Sequence, residues 1–233
     1  CRLLLEIVNA LASFNHSQPI TLNCSTHSTV RAPQFVIKIL HSLSLLSLLV
    51  LSGCATSPPA QPENICSIFR EKSDWYDDTA DATERWGTPA HVMLAMMYQE
   101  SSFKADAQPP MQYFLFIPIG RASTAYGYAQ AKDEVWGEYQ EQSGNGWSSR
   151  DDFADAIDFM GWYTSKSQKL NGTSKWDAYN QYLNYHEGWG GFRRGTYRQK
   201  AWLPPVARKV DDRARRYATQ LRSCKDELGS SWF

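Results

Sequence analysis

Glu100 is the side chain in this sequence whose surroundings most clearly suggest chemistry. It follows the segment 90–98, which carries no charge and no polar face and is therefore typical of a helix buried on all sides. At the end of such a helix, the negative pole of the helix dipole and the apolar neighbours both raise the pKa of a carboxyl group. A carboxyl group that keeps its proton near neutral pH can act as a general acid on a glycosidic oxygen. We therefore predict that Glu100 is a catalytic acid.

Enzymes that hydrolyse glycosides normally need a second carboxylate, and the sequence leaves its identity open. The candidates are Asp106, Asp133, Glu134 and Glu187, and none of them lies in a motif that marks it. Ser101 and Lys104 have the Ser-x-x-Lys spacing of penicillin-binding proteins, but the Lys-Thr-Gly and Ser-Asp-Asn segments that accompany it there are absent from this chain. The acylation chemistry of those proteins is therefore not expected.

Composition and motifs give little support to metal, cofactor or nucleic-acid chemistry. After residue 53 the chain has two histidines, His91 and His186, which are too few and too scattered for us to predict a metal site. Without the three basic residues and one acidic residue of positions 1–53, 21 basic and 23 acidic residues remain, so no basic excess indicates nucleic acid. We predict no metal, no cofactor and no nucleic-acid partner.

Three short segments together resemble one known family. They are Glu100-Ser101-Ser102-Phe103, then Tyr126-Gly127-Tyr128-Ala129-Gln130, and then Tyr185-His186-Glu187-Gly188. In this order they resemble the Glu-Ser-x-Phe, Gly-Leu-Met-Gln and Ala-Tyr-Asn-Ala-Gly motifs of lytic transglycosylases, whose SLT domain belongs to the lysozyme-like superfamily. The resemblance extends from about Cys66 to Tyr217. The first two segments match well and the third matches in part.

The resemblance implies a mainly α-helical, lysozyme-like domain with a cleft, and a peptidoglycan lytic transglycosylase that binds glycan strands. In that family a single Glu protonates the oxygen of the β-1,4 bond between N-acetylmuramic acid and N-acetylglucosamine. It later takes a proton from the C6 hydroxyl, and the product is a 1,6-anhydro sugar. Because this attack is intramolecular, no activated water is needed. Two alternatives stay open: a hydrolytic muramidase that uses Asp106 or Glu187, and a non-catalytic lipoprotein that binds glycan.

The resemblance also implies roles for individual residues. Tyr185 would share the catalytic site by reaching the carboxyl group of Glu100, and Gln130 would donate to an acetamido or hydroxyl group of the substrate. The residues implied to bind substrate are Ser101, Ser102, Phe103, Tyr126, Gly127, Tyr128, Gln130, His186 and Gly188. His186 and Glu187 stand where the family has Asn and Ala. A structural interpretation stays open, in which Tyr185 is a core residue and Gly127 a turn residue.

Helices must hold these segments in place. The spacing of apolar residues predicts an amphipathic helix from Ile65 that ends at Gly87, and Thr88 and Pro89 then mark the start of the buried helix before Glu100. Further helices are predicted after residues 148–152, over 176–185 and over about 205–224, and the last of them has a basic face.

The connection between Phe103 and Tyr126 is longer than in the family, and we infer an insertion of about a dozen residues there. Its middle is expected to form a small β-hairpin or a flap. The apolar residues 113–117 of this segment would form a local mini-core or a substrate wall, since long loops inside domains are often functional.

The N-terminal part is predicted to be a leader. Residues 1–29 show no periodic pattern and are interpreted as a non-native upstream extension, whereas residues 30–53 have the basic start and short apolar stretch of a secretory signal peptide. Leu51-Ser52-Gly53-Cys54 resembles the lipobox of bacterial lipoproteins. This implies a lipid anchor on Cys54, and the following Ala55 implies the periplasmic face of the outer membrane. The alternative is a core helix followed by a chance cysteine.

The remaining boundaries follow from composition and from the cysteines. Residues 54–64 are rich in proline and predicted to be an extended tether, and residues 65–233 are predicted to form the domain. If Cys54 carries lipid, Cys66 and Cys224 are expected to form a disulfide in an oxidising compartment, and it would join the first helix to the last. The alternative is two free buried thiols.

Overall fold

The computed structural model describes residues 57–230; the predicted extension, the signal peptide and Cys54 lie outside these residues. Its α-helices are α1 (Ile65–Glu71), α2 (Ser73–Trp86), α3 (Ala90–Ser101), α4 (Asp133–Ser143), α5 (Phe153–Asn171), α6 (Ala178–Arg194) and α7 (Leu203–Ser230). Two strands, β1 (Met111–Phe114) and β2 (Ile117–Arg121), and a short 3-10 helix (Thr196–Gln199) are also present. The predicted mainly helical fold with a small hairpin is confirmed. Between residues 57 and 230, no helix has the length and apolar character needed to cross a membrane.

Helix α3 runs through the centre of the domain and carries Glu100 near its C-terminal end. All side chains of residues 92–97 are buried, and the helix packs against α2, α5, α6 and α7. It starts one residue later than predicted, because Pro89 takes the N-cap position. Thr88 is buried instead, and its hydroxyl lies 2.7 Å from that of Thr164 in α5. The absence of a polar face on segment 90–98 therefore reflects contacts on all sides.

The predicted first helix is two helices in the structure. The backbone of Lys72 is not helical (φ −124°, ψ 75°), so α1 ends before it and α2 starts after it. In α2 the ring of Trp75 stacks on Phe153 of α5, with ring centroids 3.8 Å apart. Tyr128 meets both rings edge-on. This aromatic cluster attaches the second sequence motif to the core.

A disulfide joins α1 to α7. Cys66 and Cys224 are bonded, as the sequence predicts, with Cα atoms 6.1 Å apart. The bond closes a loop that contains nearly the whole domain, which constrains the unfolded chain and stabilises the fold by about 3–5 kcal/mol in the chain-entropy model. The alternative of two free thiols is therefore excluded.

Most of the predicted tether packs on the domain. Pro59 is buried, and the hydroxyl of Tyr217 in α7 donates to the carbonyl oxygen of Pro62. The carboxylate of Glu63 pairs with Arg213 at 3.1 Å and with Arg216 at 2.8 Å. These contacts correct the predicted boundary at Ile65, because the chain from Pro59 onward already belongs to the packed unit.

Strands β1 and β2 form an antiparallel hairpin in the predicted insertion. Phe114 pairs with Ile117 next to the turn and Met111 pairs with Arg121 at the base, with a bulge between the two pairs. The guanidinium group of Arg121 donates to the carbonyl oxygen of Pro109, which holds the ends of the hairpin together. The apolar side chains of the hairpin are exposed, so they do not form a local mini-core.

Candidate active site

A cleft of about 620 Å³ lies at the C-terminal end of α3. Its walls come from the connection after α3, from α4, α5 and α6 and from Lys200, and residues of all three sequence motifs line it. Those that matter for the chemistry below are Glu100, Gln130, Tyr163, Tyr185, His186 and Glu187. The cleft therefore brings together segments that are far apart in the sequence.

A second cavity, of about 600 Å³, lies between α2, α3 and α7. Its lining is mostly apolar, includes His91, Trp176 and Leu221, and contains no carboxyl side chain. Since a general acid is present in the first cavity and absent from the second, the first is the candidate active site.

Glu100 lines the cleft, and the residue as a whole is half-buried. Burial raises its pKa to about 7 from an ordinary value of 4.5, and a hydrogen bond from Tyr182 acts in the opposite direction. The direction of the shift is the one that the sequence predicts, and burial is its main cause. Comparable amounts of the acid and of its carboxylate are therefore present at neutral pH.

Two tyrosines one turn apart on α6 have different partners. The hydroxyl of Tyr182 bonds to the carboxyl group of Glu100, and burial together with that carboxylate raises the pKa of Tyr182. Tyr185, which was expected to reach Glu100, donates instead to the carbonyl oxygen of Ala129. A hydroxyl has a single proton to donate, so this bond occupies Tyr185. The hydrogen bond to Glu100 thus comes from Tyr182, which no sequence motif marks, and Tyr185 bonds to the backbone instead.

The ring of Tyr185 still lines the cleft, because aromatic residues of α5 and α6 hold it there. Tyr163 meets it edge-on at a centroid distance of 4.7 Å and stacks on Trp189 at 4.5 Å. The hydroxyl of Tyr163 donates over 2.9 Å to the carbonyl oxygen of Asn184, which fixes its ring. Tyr163 and Phe159 also line the cleft. They did not stand out in the sequence because they continue the regular apolar pattern of α5.

Gly127 and Gln130 shape the chain turn beside the cleft. Gly127 has a φ of +77°, and a Cβ atom at this position would lie 1.9 Å from the carbonyl oxygen of Arg150, so no other residue fits. The amide nitrogen of Gln130 donates to the carbonyl oxygens of Ala107 at 2.7 Å and Gly127 at 3.0 Å. Both N–H groups of Gln130 are thus occupied by the backbone. This corrects the expectation that they donate to substrate, although Gln130 does line the cleft.

Three residues that were implied to bind substrate lie in the core. Phe103 and Tyr128 are 0% and 1% exposed and pack against Trp75. Ser101 is also buried, and its hydroxyl donates to the carbonyl oxygen of Met97 one turn earlier in α3. These positions leave no surface for a ligand, which corrects the predictions for Ser101, Phe103 and Tyr128.

Ser102 and Tyr126 do not line the cleft. Ser102 ends α3 in the left-handed conformation, with φ 54° and ψ 36°. The hydroxyl of Tyr126 donates to Asp151 over 3.1 Å, and the guanidinium group of Arg150 lies 5.4 Å from the centroid of its ring. The contacts of Tyr126 stabilise the chain beside the cleft, and the expected contacts of both residues with substrate have no support in this arrangement.

The third motif lies at a bend in α6. Gly188 has φ 70° and ψ 159°, which interrupts the helical backbone, but the helix resumes and continues to Arg194. The predicted end of this helix near Tyr185 is therefore wrong. The bend places His186 and Gly188 on the wall of the cleft, and the ring of His186 packs edge-on against Trp202 at 5.0 Å.

Glu187 also lines the cleft, but its carboxylate is occupied by neighbouring side chains. The Nζ atom of Lys200 lies 2.6 Å from Oε1, and Nδ1 of His186 lies 3.0 Å from the same atom. The hydroxyl of Thr196 donates to Oε2. Burial opposes ionisation, but the hydrogen bonds from Lys200, Thr196 and His186 outweigh it and lower the pKa of Glu187 to about 2. The charge on this group is therefore fixed at neutral pH.

The part of the chain that the structure describes contains no group of three or more His, Cys, Asp or Glu side chains that could hold a metal ion. A family model described as transglycosylase SLT domain matches residues 42–224, a range that includes all three motifs and most of the chain. No curated protein matches the chain.

Proposed function

The chain belongs to the transglycosylase SLT-domain family, and from this premise we propose that it is a peptidoglycan lytic transglycosylase with Glu100 as its single general acid and base. The family supports a lytic transglycosylase role on peptidoglycan. We assign the mechanism to Glu100 because of the environment of its carboxyl group. It faces the cleft, burial raises its pKa to about 7, and the Tyr182 hydroxyl bonds to it.

The first step breaks the β-1,4 bond between N-acetylmuramic acid and N-acetylglucosamine. Protonated Glu100 gives its proton to the bridging oxygen, the bond from that oxygen to C1 breaks, and the departing sugar keeps the proton as its free hydroxyl. The carboxylate that remains accepts the hydrogen bond of Tyr182. A hydroxyl that is already in place stabilises this new charge without the reorganisation that water would need.

The second step closes the anhydro ring. The Glu100 carboxylate takes the proton from the C6 hydroxyl of the same N-acetylmuramic acid, and the C6 oxygen bonds to C1. Glu100 is then protonated again, and no water is consumed. A group whose pKa is about 7 can serve as acid and as base in turn, since neither form is strongly disfavoured at neutral pH.

The state of Glu187 favours this mechanism over hydrolysis. A water-activating base must be basic enough to take a proton from water, but the hydrogen bonds from Lys200, Thr196 and His186 lower the pKa of Glu187 to about 2. Asp106 is absent from the lining of the cleft. Glu134, which is exposed, does line it and is therefore the residue on which a hydrolytic muramidase would depend.

Product analysis tests the proposal. We expect purified peptidoglycan treated with the protein to yield muropeptides with 1,6-anhydro ends, which are lighter by one water than hydrolytic products. Glu100→Gln should abolish their formation, whereas Glu134→Gln should leave it unchanged. Products with hydrated reducing ends that disappear in Glu134→Gln would show a muramidase instead. Retained glycan binding with no cleavage by the parent protein would show a binding lipoprotein.

We also propose that Cys54 carries a lipid that holds the domain at the periplasmic face of the outer membrane. The disulfide supports an oxidising compartment. Packing on the domain begins at Pro59, and four residues of chain span at most about 14 Å, so a lipid on Cys54 would hold the domain close to the membrane. Cys54→Ala should release an active protein into the soluble fraction. Acylation that persists in Cys54→Ala would contradict the proposal.

A further inference from the structure

The hairpin of β1 and β2 presents an unusual surface. No charged residue occurs between Asp106 and Arg121. Exposure rises from 38% at Met111 in the base to 79% at Leu115 and 85% at Phe116 in the turn. We call residues 113–117 the apolar tip, and all of its side chains except that of Tyr113 lack a hydrogen-bonding group.

The hairpin has apolar side chains on both faces next to its turn. Directly paired residues share a face, so Tyr113 and Pro118 lie on one side and Phe114 and Ile117 lie on the other. All of the large apolar side chains on both faces are exposed, and among residues 57–230 the two strands pack chiefly on each other. A hairpin that docks against one protein surface needs one apolar face. Apolar side chains on both faces and on the turn are instead expected for a hairpin that is surrounded by an apolar medium.

Leu115 in the turn is an unusual residue for its backbone conformation. Leu115 has a φ of 56°, in the left-handed region where Gly, Asn or Asp is normal. A leucine here accepts backbone strain and leaves most of its side chain exposed to water. An apolar residue that is unfavourable both in this backbone conformation and in contact with water is expected to have a function.

We propose that the apolar tip inserts into the surface of a lipid bilayer and is a second membrane contact, separate from any lipid on Cys54. An interfacial element buries its apolar part by about 5–10 Å, which corresponds to two or three residues of each strand. Leu115, Phe116 and their paired neighbours then lie among the acyl chains, and Tyr113 lies at the level of the headgroups, where its hydroxyl is hydrated. Arg121 stays outside at the base. This inference does not rest on the proposed function.

Two other occupants fit less well. A glycan would need several donors and acceptors beside the aromatic rings, but among the side chains of the apolar tip only the Tyr113 hydroxyl could supply one. A second copy of the chain could add a strand to an edge, but β1 and β2 are short and Pro118 in β2 has no N–H to donate. A lipid surface requires neither hydrogen bonds nor a complementary shape.

Hydrogen–deuterium exchange of the full chain tests the proposal locally, so binding through residues 1–56 does not obscure the result. We expect vesicles of phosphatidylethanolamine and phosphatidylglycerol to slow exchange across residues 111–121 by at least roughly threefold. The matched control is the loop 144–150, which holds Trp147 at 97% exposure and should be unchanged. Leu115→Asp with Phe116→Asp should remove the protection, and Asp is tolerated at the left-handed turn position.

Three results would overturn the proposal. Exchange in residues 111–121 that vesicles do not slow would show that the tip does not insert. Protection that rises with protein concentration in the absence of vesicles would identify a second copy as the partner. Protection by soluble glycan fragments but not by vesicles would make the hairpin a flap over the cleft.

Discussion

Glu100 and Glu187 line the same cleft with the same functional group, yet their pKa values lie on opposite sides of the ordinary value. Burial dominates at Glu100, where the Tyr182 hydroxyl is the hydrogen-bonding side chain, and the pKa rises to about 7. At Glu187 burial acts in the same direction, but Lys200, Thr196 and His186 donate to the carboxylate and the pKa falls to about 2. The number and charge of the donors thus distinguish a carboxyl group that can transfer a proton from one that stabilises a bend.

The largest expected effect is the loss of activity when the carboxyl group of Glu100, which transfers the proton, is removed. Glu100→Gln should lower the cleavage of peptidoglycan by at least roughly a thousandfold, because both the acid and the base are lost. Cleavage is measured by quantifying soluble muropeptides, and a thermal melt checks that the fold is intact. Activity within about tenfold of the parent would remove Glu100 from the mechanism.

The next largest effect should come from the donor to Glu100. Tyr182→Phe removes a hydrogen bond to a charged group, worth about 1.5–3 kcal/mol, so kcat should fall by roughly ten- to a hundredfold with little change in KM. Because this bond lowers the pKa of Glu100, its loss should also move the alkaline limb of the pH–rate profile to higher pH. The matched variant Tyr185→Phe removes a bond to the Ala129 carbonyl and should leave the limb in place. If Tyr185→Phe lowered kcat more than Tyr182→Phe and moved the alkaline limb, Tyr185 would be the partner of Glu100 instead.

At pH 8 the carboxylates of Glu100 and Glu187 should change the free energy of unfolding in opposite directions. In the folded protein the pKa of Glu100 lies above the ordinary value of 4.5. The stability that Glu100 contributes is therefore present below about pH 4.5 and is lost as the pH rises through about 7. Glu100→Gln should therefore stabilise the protein at pH 8 by about 1–3 kcal/mol and have little effect at pH 4. The folded pKa of Glu187 is depressed, so its contribution is present above about pH 4.5 and is lost as the pH falls through about 2.

Glu187→Gln should accordingly destabilise the protein at pH 8 by about 1–3 kcal/mol. Urea unfolding of both variants and the parent at pH 4 and pH 8 measures these differences. The same sign for the two variants at pH 8 would contradict the opposed environments of the two carboxylates.

The smallest effect should be that of Glu187 on the reaction itself. Glu187→Gln should change cleavage by less than about tenfold and leave the anhydro ends unchanged, because the group is held by its ion pair and transfers no proton. Mass spectrometry of the muropeptides provides the measurement. A loss comparable to that of Glu100→Gln, together with hydrated products, would make Glu187 a second catalytic carboxylate.

The amino-acid sequence determined those features that depend on short segments. A run of apolar residues before Glu100 predicted a helix buried on all sides and a raised pKa, since burial follows from the absence of any polar face. The two cysteines near the ends of the domain predicted the disulfide. The hairpin was also anticipated, although the sequence did not show that its apolar side chains would be exposed, because a short apolar run looks the same in a core and on a surface.

The tertiary structure alone decided which side chains meet in the cleft. Tyr182 and Tyr185 are one turn apart on α6, but the hydroxyl of Tyr182 bonds to Glu100, whereas Tyr185, whose ring packs on Tyr163, bonds to Ala129. The charge on Glu187 likewise depends on Lys200, which follows the bend at Gly188. Hydrogen bonds require donor and acceptor to lie within about 3 Å and in line, and only the folded chain brings residues this far apart in sequence to that distance.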